Sequence, residues 1–453
     1  MKHRKWLAVG ASGMALSVLA LGLAYSGVHP TSAAAPPKFS SAPPKVTLLV
    51  SEWTNPPAIK ATQAIDQAFE KLHPGVTVKL EYAPTAQGAW GAMSNTLVQS
   101  KTVDVLAEFA PGSFVPPAYM HATLGGVQAL AASGQLVNFK GMPFLNNFLP
   151  GVQQRAAGFR GGIYGVEMAT YATTGVFYNK TLFAKYHLSI PMTWNQFIHD
   201  CQVLQSHHIN PIYVAGKDGL QGMIFNAIMN SELPHVHSTA MDYQLDNAFW
   251  HKKTSWNAPI WGKIMARYNQ AVKYFEPNWT GVAQLNAPGQ WAASNNSAML
   301  VDGSWDGYTI KTANPKLQYG WFPIPGSNQV KNNKMYVNGD FTWVVPTWAP
   351  QKKLAIQYVQ FFSQHKNYQT WDNYVGCFPT QNVVSKLPWM TVENAYVKAG
   401  KTSGSLGISL PNNTGPLANF PGDTSELQPA GPYTIAELQH LATIQFQASL
   451  PKA

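Results

Sequence analysis

The stretch "VTLLVSEWTNPPAIKATQAIDQAFEKLHPGVTVKLEY", from Val46 to Tyr82, decides the fold class. Val46 to Val50 reads as a strand. It ends in Ser51-Glu52-Trp53-Thr54-Asn55-Pro56-Pro57. Ile59, Ile65, Ala68, Phe69 and Leu72 then recur at helical spacing until His73-Pro74-Gly75 stops them. Val76 to Tyr82 alternates as a second strand. Further on, Ala89 to Ser100 reads as a helix and Val103 to Phe109 as a third strand. Strand, helix, strand, helix, strand is the pattern of an α/β domain with a mostly parallel sheet. In such sheets ligands bind beyond the C-terminal strand ends. Trp53, with Glu52 and Asn55 beside it, stands at one such end, and Glu108 with Phe109 at another.

The middle of the chain repeats this style with a new start. Ile163 to Lys180 is strand-like, Thr193 caps a helix, and helical spacing returns at Met223–Ser231 and Ile260–Tyr274. Ala298 to Val301 is a buried strand running into Asp302-Gly303-Ser304-Trp305-Asp306-Gly307, which sets two carboxylates and an indole among glycines. A third section shows a strand from Phe341 to Pro346 and a helix from Lys353 to Ser363. At 453 residues the chain exceeds what one core usually supports, so two lobes are expected.

Charged residues are 11% of the whole, against about 25% in an average soluble domain, so the surface is largely neutral-polar. The formal charge of +10 arises from having only 21 acidic residues rather than from clustered cations. Three of the positives, Lys2, Arg4 and Lys5, lie at the extreme N-terminus. No basic stripe with interleaved aromatics is present, which argues against nucleic acid. Few carboxylates also mean few groups to protonate as pH falls, so an acidic habitat is expected. Cys201 and Cys377 are the only cysteines and read as free buried thiols. His207-His208 and His235-x-His237 lack a third ligand at metal spacing, so no metal or other cofactor is expected. No phosphate-binding G-x-x-x-x-G-K-[ST] loop occurs.

Lys2-His3-Arg4-Lys5, the uncharged run from Trp6 to Tyr25 and Ser32-Ala33-Ala34-Ala35 form the three parts of a secretory signal peptide over residues 1–35. The alternative is an uncleaved anchor, because the run approaches bilayer-spanning length. Residues 36–45 are Pro/Ala/Ser-rich and read as an extended tether. No cysteine follows the apolar run, so lipidation there is not expected, and the location expected is extracytoplasmic.

The ordered phrases "AFEKLHPGVTVKLEY", "IYGVEMATYATTGVFYNKTLFAKYHLSIPMTWNQF", "AMLVDGSW", "YGWFPIPG" and "VGCFPTQNVV" resemble family 1 of the extracellular solute-binding proteins of ABC importers, which are maltose-binding-protein-like. The resemblance implies an α/β, two-lobe periplasmic-binding-protein-like fold (type II) with mostly parallel sheets flanked by helices and a cleft between the lobes. It implies an N-terminal lobe from 46–168 and 323–365 and a C-terminal lobe from 169–322 and 366–453, with crossings near Met168–Thr173, Tyr319–Pro325 and Phe362–Trp371. The function implied is capture of a neutral mono- or oligosaccharide by lobe closure and delivery to ABC permease subunits, by a monomer and without catalysis. Where this chain has Glu167, the family usually has proline.

A sugar offers C–H faces to aromatic rings and hydroxyls to Asp, Glu and Asn. Trp305 follows a strand end and matches the family's stacking position; the rival reading is a core indole. Asp306 stands open between ligand and structure, whereas an Asx turn into Gly303 accounts for Asp302. A carboxylate directly after Val105-Leu106-Ala107 is costly unless it faces the cleft or is paired, which makes Glu108 a candidate, with Phe109 next to it. Thr170 and Tyr171 lie at a crossing, as ligand contacts or as hinge packing. Asn338, Gly339 and Asp340 return the chain to the first lobe and offer a hydroxyl acceptor, and Phe378 is a candidate for the cleft wall. Two other classes remain: a secreted glycosidase, for which two carboxyls must flank one bond, and a rigid carbohydrate-binding surface module.

Overall fold

In the computed structural model, β1 (Val46–Trp53) lies between β2 (Val76–Ala83) and β3 (Val105–Phe109) and runs parallel to both. The structure describes residues 45–85, 88–110, 124, 126–233, 239–294, 296–383, 387–404, 408–419 and 424–451. The leader, residues 36–44 of the tether, and the pair His235 and His237 fall outside these. Between the first strands runs α1 (Pro56–Leu72), opened by two prolines and by the Asn55 side chain, which accepts a bond from the Ala58 amide at 3.2 Å. Its apolar stripe, including Ile59, Ile65 and Phe69, is buried against the sheet side. Three further helices bear on the site: α2 (Ala89–Ser100), α3 (Gly126–Ala132) and α4 (Val152–Ala157).

Beyond α4 come a short hairpin, β4 (Gly158–Phe159) with β5 (Gly162–Ile163), and then β6 (Val166–Ala172). The next four strands, β7 (Gly175–Asn179), β8 (Asn210–Val214), β9 (Ser297–Val301) and β10 (Tyr319–Pro323), form a second sheet in the order β10-β7-β9-β8. With β11 (Met335–Val344) the chain re-enters the first sheet between β3 and β6, while β12 (Phe378–Pro379) flanks β6 and β13 (Thr402–Ser403) pairs with β11.

The sheets are mixed, which corrects the mostly parallel expectation. β11 is antiparallel to both β3 and β6, β12 is antiparallel to β6, and β7 is antiparallel to both β9 and β10. A strand returning from an excursion through another lobe needs no crossover helix, so nothing forces it parallel.

Each sheet has its own core within one compact unit from Pro43 to Ala453. The first core holds Leu48, Val105, Met168, Tyr171, Phe341, Trp343, Trp371 and Cys377; the second holds Ala172, Phe177, Trp261, Leu300, Trp321, Met335 and Trp389. The chain therefore changes cores between Tyr171 and Ala172, between Met335 and Phe341, and between Cys377 and Trp389. This moves the last two lobe boundaries read from sequence, at 322/323 and 365/366, further along the chain. Tyr319–Pro323 is an edge strand of the second sheet that buries Trp321 and Phe322 in the second core, and the helix His365–Val375 buries Tyr368, Trp371 and Val375 in the first core. The final helix, Ile435–Ser449, begins with a capping box between Thr434 and Glu437 and buries Leu438, Ala442 and Phe446 in the second core. Cys201 and Cys377 are free thiols buried in different cores. No helix among the described residues is long and apolar enough to cross a membrane.

Candidate functional site

The strands of the first sheet bring several of the predicted residues into two adjacent rows. Phe109 on β3 is paired with Phe341 on β11, Gly339 on β11 with Thr170 on β6, and Thr170 in turn with Phe378 on β12. Thr170, Asn338, Gly339, Asp340 and Phe378 are all half-buried, and Phe109 is 44% exposed. A strip of partly exposed side chains thus crosses the sheet at the level where the chain changes cores. Trp305 and Asp306, also half-buried, follow β9 of the second sheet. The indole packs against the first core and meets Tyr171 edge to face at 5.8 Å, so it bridges the two lobes. The Trp305 ring also lies over Gly303, where an added Cβ would sit 2.0 Å from it. Because this ring is not fully buried, Trp305→Ala is expected to cost the ligand-free fold less than the about 3–5 kcal/mol of a core tryptophan, as read from the denaturant midpoint.

Phe109 and Trp53 exchange the roles expected of them. Trp53 is 7% exposed and cannot offer a face to solute. It stacks under Phe109 with centroids 4.3 Å apart and planes 16° from parallel, and is wedged by Trp90 at 5.9 Å and Phe341 at 4.8 Å. Phe109 is the exposed ring and Trp53 its support. Glu52 leaves the site altogether: alternation along β1 turns it onto α1, where it is fully buried and accepts a bond from Thr62 Oγ1 at 3.3 Å. Burial, and then the nearby Asp66, push its carboxyl well above the usual range. Asn55 is spent as the cap of α1, and Tyr171 is 3% exposed, a packing residue beneath Trp305.

A cavity of about 360 Å³ opens beside Phe109, between α2, α3 and the end of β3. Thr85, Trp90, Ser94 and Asn95 join Glu108 and Phe109 in its wall. Sequence reading missed the first four; the signal available was the polar Ser94-Asn95 pair on a helix that follows a strand end. Glu108 Oε1 accepts from Ser94 Oγ at 3.2 Å. Burial raises the Glu108 carboxyl to about 7, a rise that the serine bond partly offsets.

The other carboxyls along the strip share this character. Burial lifts Asp340 to about 7. It also lifts Asp306 to about 6, with bonds to Asp302, Thr309 and Trp305 pulling the other way. Asp302 is fully buried and accepts from the amide of the next residue, Gly303, at 2.8 Å, a local bond but not the bond to the residue two on that an Asx turn makes; its carboxyl is raised first by burial and then by the charge of Asp306. Neither ion pair found among the described residues, Lys79–Glu81 or Arg267–Glu232, touches the strip. In mild acid, below these raised values, the site therefore presents proton-bearing carboxyls, which both donate and accept hydrogen bonds. No group of three or more His, Cys, Asp or Glu placed to hold a metal occurs among the described residues. His207 stacks on Tyr186 at 4.5 Å.

The model of the bacterial extracellular solute-binding protein family matches residues 54–369. A "Multiple sugar-binding protein" of Streptococcus mutans serotype c is 24% identical over 297 residues, 65% of this chain and 66%, just under two thirds, of that relative's length. Among solved structures, a sugar transporter of Bacillus licheniformis in complex with stachyose superposes with a TM-score of 0.69 at 14% identity, covering 89% of this chain and 100% of that one. RafE in complex with raffinose gives 0.70 at 18% identity, covering 88% and 99%. The maltose-bound T. maritima protein gives 0.69 at 14%, covering 89% and 99%. These structures share the two-lobe fold. With a family match over well over half of its length and two α/β lobes that each carry part of one strip of half-exposed residues, the chain belongs to the bacterial extracellular solute-binding proteins.

Proposed function

We propose that the protein captures a neutral mono- or oligosaccharide outside the cytoplasm, by closure of two lobes, and delivers it to the transmembrane subunits of an ABC importer. The observation that carries the reading is the exposed Phe109 ring, stacked on a buried Trp53 beside a cavity walled by Glu108, Ser94 and Asn95. A rigidly backed aromatic face next to hydroxyl-matching groups suits the C–H faces and hydroxyl rim of a sugar. The absence of Lys and Arg from the residues named in the strip disfavours an anionic solute. The names of the relatives, which speak of multiple sugars, stachyose, raffinose and maltose, support the same class.

In this reading the carboxyls bind and do not cleave. Hydrolysis of a glycosidic bond needs two carboxyls facing one bond with different protonation. Here Glu108 answers to Ser94 in its own lobe and Asp306 to Asp302 in the other. Closure follows if solute touches both lobes and so binds the closed form more tightly.

A thermal-shift screen with raffinose, stachyose, maltose and other neutral saccharides tests the proposal. A saccharide at about 100 times its dissociation constant adds roughly 2.7 kcal/mol of apparent stability. The saccharide that does so is expected to reduce the radius of gyration in small-angle scattering. Tight binding with an unchanged profile would favour a rigid surface module, and release of smaller sugars from the saccharide would favour a glycosidase.

A further inference from the structure

Glu167 is fully buried in β6, outside the strip, yet it is built into the strand pairing that shapes the strip. The β6–β11 ladder slips twice in compensating directions: Gly339 opposes Thr170, Phe341 opposes Ala169, and Thr342 opposes Glu167. Asp340 is the extra residue on β11, and Met168 the extra residue on β6. A bulged residue inside a sheet loses the carbonyl that a regular ladder would offer its amide, and a buried N–H must find another acceptor. The Asp340 N–H donates to Glu167 Oε1 at 2.8 Å. The other oxygen, Oε2, accepts from Thr342 Oγ1 at 2.5 Å. One side chain thus ties both ends of the bulge.

The surroundings are fitted to that carboxyl. A Cβ on Gly339 would lie 3.0 Å from Glu167 Oε1 and 2.8 Å from the Ala110 Cβ, so glycine leaves the room it occupies. Gln153 of α4 donates to the Glu167 carbonyl at 3.0 Å and accepts from its amide at 2.7 Å, and Thr380 Oγ1 donates to the same carbonyl at 3.0 Å. The titratable groups facing Glu167 are Asp340 on β11 and Cys377 before β12; α4 presents Gln153.

We propose that Glu167 is a positioning residue for the solute site: its buried carboxyl holds the 339–341 bulge and so fixes how Asp340 meets solute hydroxyls. This rests on the reading of Asp340 as a solute contact. Burial raises Glu167 to about 8 and Asp340 to about 7, so both carry protons in mild acid, and charging both would set like charges against each other across the bulge. Saccharide affinity therefore falls as pH rises past about 7 to 8. A glutamine in place of Glu167 keeps the acceptor for the Asp340 amide and offers its NH₂ to the Thr342 hydroxyl, so it should restore the geometry without the charge.

Two measurements on ligand-free protein test this, using Glu167→Gln, Glu167→Ala, Asp340→Asn and, from the opposite side, Gly339→Ala. Hydrogen exchange of the Asp340 amide is expected to stay within about threefold of wild type in Glu167→Gln and to speed up at least tenfold in Glu167→Ala and Gly339→Ala. Carbon NMR titration of the Glu167 carboxyl is expected to shift to a lower midpoint in Asp340→Asn, because the charge on Asp340 is one of the causes that raise Glu167. Unchanged Asp340 exchange in folded Glu167→Ala, or an unchanged Glu167 titration in Asp340→Asn, overturns the proposal; the second readout stands even if the alanine variant fails to fold. Raffinose calorimetry from pH 5 to 9 adds the solute arm: the alkaline loss of affinity seen in wild type should be weaker in Glu167→Gln. Absence of raffinose binding by the wild type would count against the choice of saccharide, leaving the two ligand-free readouts to decide the role of Glu167.

Discussion

Lowering the pH from 8 to 5 is expected to stabilise the folded protein. Burial raises Asp66 to about 7, Glu167 to about 8, Asp340 to about 7 and Asp372 to about 6, and carries Glu52 and Glu393 well above the ordinary range. The hydrogen bonds that these carboxyls receive, such as Tyr358 to Asp66 at 2.6 Å and Cys377 to Asp372 at 3.2 Å, only partly offset burial. In the unfolded chain the same groups titrate near about 4. Between about pH 4 and the raised values the folded form holds more protons than the unfolded one, so stability is greatest at the acidic end and is lost as pH climbs through about 6 to 8. Each such proton contributes a slope of up to about 1.4 kcal/mol per pH unit. Several buried groups acting together should raise the melting midpoint by roughly 5 °C or more between pH 8 and pH 5. A midpoint that is flat or rises toward pH 8 would refute this. The small number of acidic residues had suggested tolerance of acid; the burial of these six carboxyls, none of which is in an ion pair among the described residues, goes further and is expected to make acid favourable.

The second large effect separates Phe109 from Trp53. Phe109→Ala removes the exposed ring and should weaken saccharide binding by about 1–3 kcal/mol, the scale of one large apolar side chain or aromatic contact, while the ligand-free denaturant midpoint changes little. Trp53→Ala removes a buried ring packed among Phe109, Trp90 and Phe341, and is expected to cost the fold about 3–5 kcal/mol. It should weaken binding as well, because Phe109 loses the surface that holds it flat. Equal midpoint losses in the two variants, or full affinity in Phe109→Ala, would remove Phe109 from the site.

The local pattern of the chain determined a good deal. Alternating and helical spacing located β1, α1, β2 and α2, because each buries one face in a way its own sequence records. The same reasoning drew attention to Glu108, since a carboxyl ending an apolar strand has to be explained. That Asp302 finds a local partner was legible for the same reason, although the partner is the amide of the next residue rather than the one two on that an Asx turn uses.

What depended on residues distant in sequence was decided by the tertiary structure. Trp53 and Phe109 both stand at strand ends and look equivalent as sequence; only the packing of Trp90 and Phe341 buries one and leaves the other exposed. Glu52 and Asn55 flank the strand end in the same phrase, but strand alternation turns one onto α1 and the helix start uses the other as its cap. The lobe boundaries followed the cores rather than the connecting phrases, since a residue such as Trp371 joins whichever core its helix face meets. Glu167 shows the limit most clearly. Its role depends on a register slip between β6 and β11, whose paired residues lie more than 160 positions apart, and on a glycine that makes room for it. Sequence spacing reports what a segment buries; which strand it meets, and in what register, is set by long-range packing, and that is where the site takes its shape.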